Sequence, residues 1–92
     1  MTLNEAYEIT RTELFHFNQV STDESVKSLR RELKKLAKAL KEDETDKEEV
    51  GNRLANLIIS TLVTAGKFGV KDLESLYRKR IVELQFGISK DV

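Results

Sequence analysis

The chain has no cysteine, no proline and no tryptophan, and holds only four glycines, one histidine and one methionine in its 92 residues. Each scarcity excludes something. Without cysteine there is no disulfide framework and no thiolate zinc site. Without proline nothing forces a break inside a helix. No apolar run approaches the ~18 residues of a membrane span. The opening Met1-Thr-Leu-Asn-Glu5 lacks the basic-then-apolar order of a secretory leader. These features predict a cytoplasmic, reducing setting and no membrane partner. Net charge is missing too, since 16 Lys and Arg balance 16 Asp and Glu. Neutrality speaks against a simple polyanion binder. At 39% hydrophobic and 35% charged, a chain of this length is expected to form a single domain over residues 1–92.

What the sequence does have is helical periodicity. Thr2 and Glu5 fit a capping box, followed by Leu3, Ala6, Tyr7, Thr10, Leu14 and Phe17 at steps of three or four. After a polar connection at 18–22, Ser21 with Glu24 predicts a second start, and Val26, Leu29, Leu33, Leu36, Ala37 and Leu40 form the clearest apolar stripe in the chain. Residues 42–49 are an acidic hinge that also offers Thr45 with Glu48 as the next cap. A third helix follows from about Asp46, with Val50, Leu54, Leu57, Ile58, Thr61, Leu62 and Ala65 inward. Its centre, Leu57-Ile-Ile-Ser-Thr-Leu-Val63, is apolar nearly all round, which predicts burial on more than one side. Gly66 or Gly69 ends it. A fourth helix from about Asp72 carries Leu73, Leu76, Tyr77, Ile81 and Leu84, and the tail from Phe86 is expected to dock or fray. The predicted class is all-α, a four-helix bundle. Four helices of this size leave a thin core, so the third helix implies a homo-oligomer.

Neutrality conceals a polarised chain. Between residues 26 and 41, seven basic side chains face Glu32 alone, a balance of +6, while the hinge at 42–49 sets six acids against one lysine, or −5. The basic helix reads either as an anion site or as a solvated face offset by the adjoining acids. No base-stacking aromatics accompany it, which speaks against nucleic acid. His16 has no second histidine or cysteine to complete a metal set. Ser60 and Thr61, inside the most apolar helix, are expected to bond back to their own helix.

The second and third helices also resemble a known family. Leu29-Arg-Arg-Glu-Leu-Lys-Lys-Leu-Ala-Lys-Ala-Leu40 resembles the first metal-binding helix of the MazG-like all-α nucleoside triphosphate pyrophosphohydrolases, typically apolar-x-E-E-L-x-E-L-x-x-A. Arg53-Leu-Ala-Asn-Leu-Ile through Gly69-Val70 resembles the family's E-L-A-D-V-L segment with its closing Gly-Ile turn, and Asp72-Leu-Glu follows where the family has its last helix. The likeness spans most of the chain. In the family these helices present E-E-x-x-E and E-x-x-D carboxylates that hold magnesium, an oxygen-seeking cation that bridges to substrate phosphates. Carried across by position, the motifs fall on Arg31, Glu32 and Lys35, and on Arg53 and Asn56. Glu32 alone keeps a carboxylate. A second register puts Glu49 and Asn52 on the second motif, at the cost of shifting the glycine turn. Each cation about 4 Å from a bound metal costs on the order of 4 kcal/mol at an effective dielectric of ~20.

The resemblance therefore implies a MazG-like bundle, completed by homo-oligomerisation, whose metal chemistry is lost. The leading expectation is a non-catalytic module that self-associates and binds a protein partner or an anionic, nucleotide-like ligand. Arg31, Lys35 and Arg53 would supply positive charge beside Glu32 and Asn56, with no cofactor. The alternative is a divergent magnesium-dependent nucleoside triphosphate pyrophosphohydrolase relying on Glu32 and Glu49.

Overall fold

Helix starts in this chain are set by side chains that accept hydrogen bonds from otherwise free backbone amides. The computed structural model describes residues 1–14, 16–42, 44 and 46–86. Among these, every regular element is helical: α1 (Leu3–Glu13), a single 3-10 turn (Phe17–Gln19), α2 (Thr22–Leu40), α3 (Lys47–Lys67) and α4 (Leu73–Gln85). At α1 the capping box is complete, Thr2 Oγ1 accepting from the Glu5 amide at 3.1 Å and Glu5 Oε1 from the Thr2 amide at 3.3 Å. Ser21 Oγ caps α2 through the Glu24 amide at 3.1 Å. At α3 the cap is Asp46, whose Oδ1 takes the Glu48 amide at 2.9 Å. A carboxylate there makes a charge-assisted bond and complements the positive end of the helix dipole. The expected cap Thr45 lies outside the described residues, as do Phe15 and the tail beyond Phe86.

Of the two candidate glycines, Gly69 ends α3. It takes the left-handed conformation at φ 74°. Its amide bonds to the Gly66 carbonyl at 3.2 Å, and the Val70 amide to the Ala65 carbonyl at 2.9 Å, the paired bonds of a Schellman turn. Gly66 has a different task. A Cβ there would lie 2.9 Å from both Phe17 Cζ and Tyr7 Oη, so the missing side chain is what lets α1 and the 3-10 turn sit against α3. Tyr7 and Phe17 meet edge to face with centroids 6.1 Å apart, and Lys67 Nζ lies 5.1 Å from the centre of the Phe17 ring.

The principal packing is α2 on α3. Ser28 Oγ lies 3.2 Å from Ser60 Oγ, and Thr64 Oγ1 donates to the Ser25 carbonyl at 3.4 Å. One partner number falls as the other rises, so the two helices form an antiparallel hairpin. Its interface follows the row Ser25, Glu32, Ala39 together with Leu36. Of the expected stripe, Leu36 is buried and Val26 and Leu29 are half-buried, whereas Leu33, Ala37 and Leu40 are exposed, so the buried face lies up to one residue, about 100°, round from it. Leu33 and Leu40 are 55% and 56% exposed. Leu36 is common to both rows. On α3, Ser60, Leu62 and Val63 are buried while Ile58 is 54% exposed, because α1 and α2 cover only part of its circumference. α1 crosses α3 and also meets α4. α4 buries none of its residues. It is held at its start, where Asn4 donates to Asp72 Oδ1 at 3.3 Å and the Asn4 amide to Glu74 Oε1 at 3.4 Å.

Candidate functional site

Residues of α2, α3 and the α1–α2 connection border a cleft of about 520 Å³, within the size range of small-molecule sites. Its walls follow from helix geometry. On α2, Ser28 and Glu32 are one turn apart and form an inner ridge, while Lys27 and Arg31, also one turn apart, form an outer one. α3 supplies Asn56, Ile59, Ser60 and Val63 at steps of three and four, and Leu14 and Val20 close one end. His16 and Glu24 complete the lining, so the cleft combines apolar side chains, hydroxyl and amide groups, two carboxylates and two cations.

Glu32 is the exceptional group. Its side chain is 13% exposed. One oxygen, Oε1, lies 3.8 Å from Lys35 Nζ, a long contact. The other, Oε2, is buried and has no hydrogen-bond partner among the described residues. A buried acceptor left unmade costs about 1–3 kcal/mol, and more when charged. Ser60 differs from its expected role. Its hydroxyl reaches across to Ser28 rather than back along α3, and the two cross-link the wall of the cleft. Thr61 does bond to its own helix, to the Leu57 carbonyl at 2.8 Å.

Of the five residues expected to bind a ligand, Arg31, Glu32 and Asn56 meet at the cleft. Lys35 stands beside it, turned to Glu32. Arg53 does not line it and instead donates from Nε to Glu49 Oε1 at 2.8 Å. Glu49, the acid of the second register, is therefore already engaged. The sequence reasoning passed over Ser28 and Lys27 as cleft residues. The signal was present, since both lie one turn from residues it named.

The donor set does not fit magnesium. A hard cation needs several oxygen ligands converging on one point, and among the described residues no three His, Cys, Asp or Glu side chains cluster. Glu24 and Glu32 both line the cleft, but eight residues of helix put them roughly 12 Å apart. Comparison with protein-family models, with curated proteins and with solved structures finds no match. No helix among the described residues is long and apolar enough to cross a membrane.

Proposed function

We propose that this chain is a non-catalytic helical module of the MazG-like type, its metal-binding acids replaced, which self-associates and holds a small anionic ligand in the cleft between α2 and α3. The observation that carries the reading is the meeting of Arg31 and Glu32 of α2 with Asn56 of α3 around one cleft, with Lys27 beside Arg31 on the rim. An arginine fork on a half-enclosed wall suits a phosphate or carboxylate, because its planar donors match paired oxygens. The remaining basic residues of α2, Arg30, Lys34, Lys38 and Lys41, are exposed and serve as a solvated face. Self-association is supported by apolar side chains that the single chain leaves uncovered: Leu33 and Leu40 on α2, Leu54 and Ile58 on α3, Leu76, Tyr77 and Ile81 on α4.

Calorimetric titration with inorganic pyrophosphate tests the cleft. Wild type is expected to bind, Arg31→Gln to bind about tenfold more weakly, a loss near 1.4 kcal/mol, and Arg53→Gln to match wild type. Equal binding by wild type and Arg31→Gln places the anion elsewhere. Release of pyrophosphate from a nucleoside triphosphate in magnesium, at a rate above buffer, favours the divergent hydrolase instead.

A further inference from the structure

We infer that the ligand of the α2–α3 cleft is a zwitterion, carrying a protonated amine that pairs with the Glu32 carboxylate and an acidic group that binds Arg31. The inference rests on the anion-binding reading of that cleft and adds the part of the ligand that reading leaves out. A purely anionic ligand accounts for Arg31 and Lys27 but not for Glu32. It would bring negative charge toward a carboxylate whose Oε2 is buried and has no partner among the described residues, inside a wall where such repulsion is poorly screened.

The cleft sorts its groups in the order a zwitterion needs. Ser28 and Glu32 form the inner ridge and Lys27 and Arg31 the outer one, all four on the same two turns of α2. An amine directed inward meets Glu32, and the acidic group attached to it stays at the cationic rim. Lys35 does not substitute for the amine, because its ammonium stands 3.8 Å from Oε1 and is roughly half exposed, and Oε2 keeps no partner among the described residues. Ser28 and Ser60 bond to each other, and neither hydroxyl is a hydrogen-bond partner of Glu32 Oε2. Leu14, Val20 and Val63, which line the cleft together with His16, accommodate a short carbon skeleton, and Glu24, also in the lining, adds to the negative charge that a purely anionic ligand would meet. An ammonium group supplies the donors that a buried carboxylate lacks, and pairing it there removes an uncompensated charge. The ligand class that follows is a small amino phosphate or amino acid. A simple phosphate lacks the second contact.

The test compares matched probes on the full chain. Phosphoethanolamine and aminopropyl phosphate carry the amine, whereas ethyl phosphate and propyl phosphate have the same anion without it. At least one amino phosphate is expected to bind about tenfold or more tighter than its amine-free match, and Glu32→Gln to reduce that preference to within about twofold while sparing the amine-free probes. In wild type, the carbon resonance of the Glu32 side-chain carboxylate is expected to move with the amino probes and not with the others, a readout that needs no variant. Equal binding of matched probes overturns the zwitterion and leaves the anion site standing. Tighter binding of the amine-free probes, or a preference that survives in Glu32→Gln, overturns it as well. If none of the four binds, the inference and the anion reading fall together.

Discussion

Three glycines that look alike in the sequence have three different environments, and substitution separates them. A Cβ at Gly66 would meet Phe17 and Tyr7 at 2.9 Å. Phe17 is buried and its ring is held between Tyr7 and Lys67, so it has little room to yield. Overpacking of this kind costs typically 1–3 kcal/mol, which outweighs the gain of about 1 kcal/mol from better helix propensity. Gly66→Ala is therefore expected to destabilise the chain, by up to about 2 kcal/mol in urea unfolding. Gly51, in the first turns of α3, has nothing within 4 Å of the same added atom. Gly51→Ala is expected to stabilise by up to about 1 kcal/mol in the same measurement. Opposite signs at two helical glycines cannot come from propensity alone, so the pair isolates the contact between α3 and the aromatic side chains of α1 and the 3-10 turn. From sequence, Gly66 and Gly69 were equal candidates for the end of α3. Only the fold tells them apart, because close approach by Phe17 is a tertiary fact and leaves no local signature.

At the scale of the element, helix starts were legible and helix faces less so. Caps are written in a few adjacent residues, and Thr2, Ser21 and Asp72 all stand where local chemistry put them. The face α2 buries is different. Hydrophobicity selects the stripe Val26, Leu29, Leu33, Leu36, Ala37 and Leu40, whereas the fold exposes Leu33, Ala37 and Leu40 and buries Ser25 and Ala39 with Leu36. Leu36 is in the stripe and is also buried, so periodicity found part of the face. The cap of α4 has a consequence for pH. Hydrogen bonds from the Ser75 hydroxyl, the Ser75 amide and Asn4 hold the Asp72 carboxyl below its usual range. A depressed carboxyl contributes stability above its unfolded pKa and loses it as pH falls through the folded one. The start of α4 is thus expected to loosen only in acid, below the range in which ordinary carboxylates titrate. The amide resonance of Ser75 should follow that titration in wild type and stay flat in Asp72→Asn, since asparagine caps without a charge to lose.

Over the whole molecule the class was legible and the assembly of its parts was not. Four helices with no strand among the described residues match the all-α expectation. That α4 would bury no residue was not foreseen, since its apolar spacing resembles that of helices that pack fully. α3 and α4 together border an apolar cleft of about 420 Å³ lined by Leu57, Ile58, Leu62, Leu73, Leu76 and Tyr77, the surface on which the proposed self-association is tested. In sedimentation at micromolar concentration, Ile58→Glu is expected to weaken self-association about tenfold or more, roughly 1.4 kcal/mol, with helicity unchanged. A wild-type chain that is strictly monomeric under those conditions overturns self-association. The site was legible in part for a physical reason. Arg31, Glu32 and Asn56 share the cleft because helical spacing is local. Arg53 left the set because Glu49, one turn away, captured its guanidinium. One feature also bears on the order in which the parts come together. The α2–α3 hairpin closes a connection of a few residues, whereas Asn4 must find Asp72 and Glu74 across 68 and 70 positions of chain. Closing so long a loop costs entropy that two exposed hydrogen bonds do little to recover. The seam between the first and last helices is consequently the late step of assembly, resting on a hairpin that is already in place.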